Sequence, residues 1–131
     1  MQQSSKTQIV VGRVLSGLAI AFLTFDSAGK LLQVQPVIDG TVQLGYPTSI
    51  IVPLGIVLLS CVLAYAIPRT SAIGALLLTG YLGGAVATHA RMSDPLLSHT
   101  LFPIYVAVIV WAGLVLRDAR LRILLPAGRA S

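Results

Sequence analysis

Hydrophobic residues occur in four long runs, and the segments outside the runs carry most of the charged side chains. The runs cover residues 9–28, 49–67, 72–89 and 96–116. An α-helix rises about 1.5 Å per residue, so a run of about 20 residues crosses the roughly 30 Å hydrocarbon core of a bilayer. The pattern therefore predicts an all-α integral membrane protein, built as a bundle of four spanning helices.

The segment 29–48 has a different character from the four runs. Its hydrophobic residues, such as Leu31 and Val37, can lie along the membrane surface as a short amphipathic piece. Five glycines and prolines interrupt the segment, which argues against a regular helix: Gly29, Pro36, Gly40, Gly45 and Pro47. We expect residues 29–48 to form the longest loop, on the outer face of the membrane.

The composition supports one membrane domain over residues 1–131. Hydrophobic residues make up 56% of the chain and charged residues only 10%, whereas soluble domains carry about 25% charged residues. A chain of this length has too little interior volume to hide so much apolar surface from water. The composition thus excludes an ordinary soluble protein and makes the lipid bilayer the main partner.

The net charge of +5 does not indicate a nucleic-acid-binding protein, because no aromatic residues interleave with the basic ones. Four spans place both termini on one side of the membrane. That side carries seven basic residues, Lys6, Arg13, Arg69, Arg117, Arg120, Arg122 and Arg129. The other side carries Lys30 and Arg91. Since basic residues accumulate on the cytoplasmic side, we expect both termini in the cytoplasm.

This topology gathers distant polar residues at the outer face. They are Asp26, Lys30, Asp39, His89, Arg91, Asp94 and His99. Asp26 and Lys30 are four residues apart on a helix, the spacing of an ion pair. His89 closes the third helix and His99 opens the fourth, so their side chains can approach each other with Asp94 between them.

Three interpretations of the histidine cluster remain open. Two histidines and a carboxylate are suitable metal ligands, but their spacing matches no zinc motif, and we expect no metal. A histidine near carboxylates at a membrane edge can relay a proton to a bound quinol. In the plainest interpretation, His89 and Arg91 interact with the helix C terminus and lipid headgroups, while Asp94 only caps the next helix.

Small residues predict close helix packing at two places. Gly80 and Gly84 form a GxxxG pair in the third helix, which favours close approach of another helix in lipid. We therefore expect this helix to be central, with more neighbours than the others. Gly12, Ser16 and Gly17 form a comparable face on the first helix.

The sequence resembles the DoxX-like family of small bacterial membrane proteins. Three segments carry the resemblance: Gly12-Arg13 with Phe25–Leu31, Tyr81–Arg91, and Asp94–Pro103. Trp111 and the ending Leu116–Arg122 complete it. The resemblance implies a four-helix fold and a multi-pass protein of the bacterial inner membrane. Because the family is named for a quinol-oxidase-associated subunit, it also implies an association with quinones and redox complexes.

Two functions follow as expectations, and the sequence leaves open whether the protein is an enzyme. The first is an accessory subunit of a quinone-linked redox complex, whose outer polar pocket is built from Asp26, Lys30, Tyr81, His89, Arg91, Asp94 and His99. The second is a non-enzymatic scaffold or assembly factor that packs against partner helices, or a second copy, through Gly80 and Gly84. A transporter ranks last, because no inverted repeat is visible.

Overall fold

The computed structural model describes residues 6–124, and Arg129, counted above on the cytoplasmic side, lies outside the described residues. Within that range the chain forms five α-helices and no strand. The helices are α1 (Lys6–Leu32), α2 (Gln35–Gln43), α3 (Ile51–Ala66), α4 (Ser71–Arg91) and α5 (Phe102–Arg117). Two 3₁₀ turns, Thr48–Ile50 and Ala119–Leu124, and a π-helical turn at Leu96–Thr100 complete the described chain.

Four helical segments are long and apolar enough to cross a membrane, which confirms the predicted fold class. They are Lys6–Leu32, Thr48–Ala66, Ser71–Arg91 and Leu97–Arg117. The helices form a ring, in which α1 and α4 lie opposite each other and both pack against α3 and α5. We call the end of the bundle that holds Lys6, Arg69 and Arg117 the terminal end, and the end that holds α2 the α2 end. The cytoplasmic placement of the termini stays a prediction.

The expectation of a central α4 is wrong for this chain. Like α1, α4 packs mainly against α3 and α5. Gly80 and Gly84 are exposed, and a Cβ added to either would meet no atom of residues 6–124 within 4 Å. Close approach instead occurs where Gly74 of α4 lies against the backbone of Tyr65. The GxxxG pair therefore makes no helix contact within the described chain, and its role in packing against a partner helix stays a prediction.

Helices α1 and α5 also approach each other closely at the terminal end. A Cβ on Gly12 would lie 2.8 Å from the backbone nitrogen of Arg117, and one on Gly113 would lie 2.8 Å from the backbone nitrogen of Ser16. Gly12 and Ser16 thus form the predicted small-residue face on α1. Gly17 does not belong to it, because no atom in the described part of the chain lies within 4 Å of a Cβ built there.

A buried polar relay crosses the bundle beside this contact. The Tyr65 hydroxyl donates to the Val110 carbonyl at 2.7 Å, so Ser16 is left to donate its proton to the Tyr65 oxygen, 2.8 Å away. Arg117 Nε donates to Ser16 Oγ at 3.0 Å, and its guanidinium lies 5.4 Å from the centre of the Tyr65 ring. The relay satisfies polar groups that would be costly to leave unpaired in lipid.

The predicted loop at 29–48 is largely helical, which corrects the sequence interpretation. Gly29 lies inside α1, which continues to Leu32. Pro36 occupies the first turn of α2, where its missing N–H costs nothing, and Gly40 inside α2 costs only about 1 kcal/mol. The true break is at Gln33, whose φ of 51° ends α1 in the left-handed conformation. The glycines and prolines therefore bend the path of the chain without preventing helices.

Candidate ligand-binding cavity

A cavity of about 680 Å³ opens at the α2 end, between α1, α2, α4 and the start of α5. Its wall includes the apolar side chains Phe22, Leu23, Val37, Leu54, Leu82, Phe102, Pro103 and Val106. Its polar lining includes Asp26, Lys30, Thr41, Gln43, Tyr46, Tyr81, Thr88, His89, Asp94 and His99. Most of these polar residues come from the last turns of α1 and α4 and from the segments that follow them. The cavity therefore has an apolar interior and a polar rim.

Helix α2 covers the cavity without being part of the core. None of its residues, all of which the structure describes, is buried, yet Val37, Gly40 and Thr41 line the cavity. Two contacts hold the segment that follows α2 against α4. The hydroxyls of Tyr46 and Thr88 lie 2.7 Å apart, and Arg91 Nη2 donates to the Leu44 carbonyl at 2.6 Å.

The turn after α4 brings His89 and Asp94 together. Ser93 adopts a left-handed φ of 56°, and the amides of Ser93 and Asp94 donate to the carbonyls of Ala90 and His89. These two bonds define a Schellman C-cap, which places the residue after the left-handed one beside the last turn of the helix. As a result, His89 Nδ1 and Asp94 Oδ2 lie 2.7 Å apart. A carboxylate only accepts, so this contact makes Nδ1 the protonated nitrogen and leaves Nε2 as the other proton-binding atom.

His99 reaches the same rim through a distorted turn. The amides of His99 and Thr100 both donate to the Pro95 carbonyl, which forms the π-helical turn before α5. The His89 and His99 rings lie 6.1 Å apart at an interplanar angle of 65°. Ser98 Oγ is 2.8 Å from His99 Nδ1. The two histidines therefore approach each other as the sequence suggested.

The plainest interpretation, in which Asp94 only caps the next helix, does not describe the structure. Helix α5 begins at Phe102, with Leu101 as its N-cap and without a side-chain cap bond from any described residue. The Asp94 carboxylate is engaged by His89. Pro103 lies in the first turn of α5, where a proline is tolerated.

Asp26 and Lys30 supply the charged part of the rim on α1. Lys30 Nζ donates to Asp26 Oδ1 at 2.7 Å, and the Lys30 side chain is only 14% exposed. The predicted i,i+4 ion pair is thus present. Because the pair is internally neutral, the α1 side of the rim presents no net charge to a ligand.

The structure brings six of the seven predicted site residues to one cavity: Asp26, Lys30, Tyr81, His89, Asp94 and His99. Arg91 is not among the described residues that line it; its guanidinium holds the Leu44 carbonyl. Gly84 lines the cavity, whereas Gly80 does not. Within residues 6–124 no group of three histidine, cysteine or acidic side chains could hold a metal ion.

Sequence reasoning missed Tyr46, Thr88 and the contribution of α2. Tyr46 is an aromatic residue in a segment rich in glycine and proline, and Thr88 precedes His89, but nothing in the sequence pairs the two hydroxyls. Their contact joins residues 42 positions apart, which depends on how α2 folds back over the bundle.

Comparison with known proteins assigns the fold to a family. A sequence model of the DoxX-like family matches residues 14–113. The chain belongs to the DoxX-like family. Every residue that lines the cavity, from Phe22 to Val106, falls inside the DoxX-like match. No curated protein and no solved structure matches the chain.

Proposed function

We propose that this DoxX-like protein binds a quinone-class ligand in the cavity, as an accessory subunit of a quinone-linked redox complex in the bacterial inner membrane. One observation carries the proposal. The cavity combines an apolar interior with hydrogen-bonding groups collected at its rim, at the end of the spanning helices. A pocket of this size, with an apolar interior and hydrogen-bonding groups at one end, accommodates flat, largely apolar molecules.

The donor set fits a quinone. Quinone oxygens accept hydrogen bonds, and the cavity lining offers as donors the Tyr81 hydroxyl, the His99 imidazole and, when the His89 ring carries a proton on both nitrogens, His89 Nε2. Both carboxylates of the rim are occupied, Asp26 by Lys30 and Asp94 by His89. A ligand that accepts hydrogen bonds therefore suits the site better than a cation, because neither carboxylate is left without a hydrogen-bond partner.

A bound quinone would supply the electron chemistry, since its reduction takes up two electrons and two protons. The chain's own residues hold and move protons. Asp94 orients the His89 ring by accepting from Nδ1, which leaves Nε2 to bind or release a proton. His99, whose ring lies 6.1 Å away, provides a second titratable group towards the surface. His99 is exposed at the α2 end of the bundle.

Binding of decylubiquinone to the purified protein in nanodiscs tests the proposal. We expect His89→Ala and His99→Ala each to weaken binding by about tenfold, as loss of a hydrogen bond in a desolvated site does. Asp39→Asn is the matched control, because Asp39 lies at the same end but does not line the cavity in the described chain. Failure of the wild-type protein to bind, or unchanged binding by both histidine variants, would exclude the quinone function.

A scaffold function is the second candidate, supported by the exposed glycines of α4. Gly80, Gly83 and Gly84 meet no described atom within 4 Å of an added Cβ, which leaves room for a helix of a redox subunit or of a second copy. Gly80→Leu and Gly83→Leu should then abolish co-purification of the partner. Gly84 is unsuitable for this test because it lines the cavity.

Gly17→Leu on α1 is the control for the scaffold test, because Gly17 is also exposed and uncontacted by the described residues. If the α4 variants retain their partner, or if Gly17→Leu loses it as well, the glycine face of α4 is not the docking surface.

A further inference from the structure

We infer that the ligand of the cavity carries a hydrocarbon tail and enters sideways from the lipid, through a gate formed by Phe22 of α1 and Phe102 of α5. The two rings make an edge-to-face contact, with centroids 5.6 Å apart and planes at 63°. The inference rests on the proposed function and specifies which quinones the site accepts.

Both phenylalanines belong to the cavity and to the lipid-facing surface at once. Each lines the cavity, and each is 44% exposed. Leu23 and Val106, which also line the cavity, are buried behind them. The Phe22–Phe102 contact is therefore a wall one side chain thick between the cavity and the hydrocarbon of the membrane.

The position of the gate along the helices separates a tail from a polar head. Phe22 precedes Asp26 by one helical turn, or about 6 Å, on α1. On the other helix, Phe102 follows His99 by three residues. The gate thus lies deeper in the bilayer than the polar rim, so a headgroup at the rim places its tail between the two rings and in lipid.

The same two helices close the opposite end of their interface by a different means. At the terminal end, backbone lies against backbone at Gly12 and Gly113, and Arg117 is hydrogen-bonded to Ser16 across the same interface. At the α2 end the contact includes the two phenyl rings, each of which can change rotamer. Only this end of the α1–α5 interface is suited to open and close while the bundle remains assembled.

The test measures association and dissociation rates of decylubiquinone, and of a benzoquinone with the same ring but no tail, in nanodiscs by stopped flow. Removing the aromatic contact with Phe22→Ala or Phe102→Ala should raise both rates for decylubiquinone by about two- to tenfold. The rates of the tail-less quinone, which reaches the rim from water, should rise by a clearly smaller factor, because Phe22 and Phe102 also line the cavity. Phe25→Ala is the control, because Phe25 is 80% exposed on the same helix and is not among the described cavity-lining residues.

The outcomes separate the gate from the function. If decylubiquinone binds the wild type but the gate variants behave like Phe25→Ala, the gate is excluded and quinone binding stands. An equal acceleration of the tail-less quinone would also exclude access from lipid. If the wild type binds neither quinone, both the proposed function and the gate are excluded. Phe22→Leu and Phe102→Leu, which keep an apolar side chain without the ring contact, should reproduce the acceleration if the alanine variants do not fold.

Discussion

The Tyr46 hydroxyl donates to Thr88 Oγ1 across 2.7 Å and thereby fastens the segment after α2 to α4. The direction follows from Thr88, whose single hydroxyl proton is given to the Gly84 carbonyl 2.9 Å away. Thr88 is 8% exposed and lines the cavity next to His89. This hydrogen bond and the one from Arg91 to the Leu44 carbonyl therefore join the cover of the cavity to α4 beside the histidine rim.

Tyr46→Phe should loosen α2 while leaving the bundle intact. Loss of the hydrogen bond costs about 1 kcal/mol, and because α2 contributes no buried residue, the cost falls on local opening. We expect faster amide hydrogen exchange over residues 35–46 and little change in the unfolding temperature. Exchange followed by mass spectrometry measures the difference.

Tyr105→Phe controls for loss of a tyrosine hydroxyl. Tyr105 donates to the Leu97 carbonyl at 2.9 Å, near the start of α5, so this variant should leave exchange of α2 unchanged. Equal protection of α2 in wild type and Tyr46→Phe would show that the contact does not hold the cover.

Tyr65→Phe should destabilise the whole bundle. The substitution removes the hydroxyl that links Ser16 to the Val110 carbonyl, and the expected loss is about 1 to 2 kcal/mol in the membrane. The ring that packs beneath Arg117 is retained, so the effect reports on the hydrogen bonds. Thermal unfolding in detergent measures it.

Ser60→Ala is the comparison for Tyr65→Phe, since Ser60 is exposed and its hydroxyl bonds only to Ile56 of its own helix. A loss of stability by Ser60→Ala as large as that of Tyr65→Phe would contradict a special role for the buried relay.

Gly113→Ala should be strongly destabilising, whereas Gly17→Ala should not. A Cβ at Gly113 would lie 2.5 Å from Ser16 Oγ and 2.8 Å from its backbone nitrogen. Forcing α1 and α5 apart costs about 1 to 3 kcal/mol. Gly17 has open space among the described residues, so alanine there should raise stability by up to about 1 kcal/mol through its better helix propensity. The same unfolding measurement compares the pair, and equal effects would exclude close packing at Gly113.

Ser93→Gly should stabilise the protein. Ser93 has a φ of 56°, a conformation that costs a residue with a side chain roughly 1 kcal/mol and that glycine adopts freely. We expect a higher unfolding temperature, with the His89–Asp94 contact retained. Ser98→Gly provides the contrast: Ser98 lies in the π-helical turn, and glycine there should lower stability. A destabilised Ser93→Gly would contradict the left-handed cap.

Hydropathy predicted the spanning segments closely, because every backbone polar group in lipid must be satisfied within its own helix. The polar rim was also predictable, since four alternating spans bring the ends of α1 and α4 to one membrane level. That argument located Asp26, Lys30, His89, Asp94 and His99 but not their partners. It placed Arg91 at the same end but did not show that Arg91 binds the backbone after α2 instead of lining the cavity, because no sequence signal shows that this segment folds back.

Glycines show the limit of sequence reasoning most clearly. The GxxxG pair at Gly80 and Gly84 is the stronger sequence motif, yet Gly12 and Gly113 make the close contact between α1 and α5. The number, length and alternation of the spanning helices follow from the amino-acid sequence, because hydrophobicity acts on each segment independently of its neighbours. Which helix faces touch, where α2 lies and which side chains enclose the cavity emerge only in the folded bundle, because lipid favours no apolar face over another and shape complementarity between distant segments makes the choice.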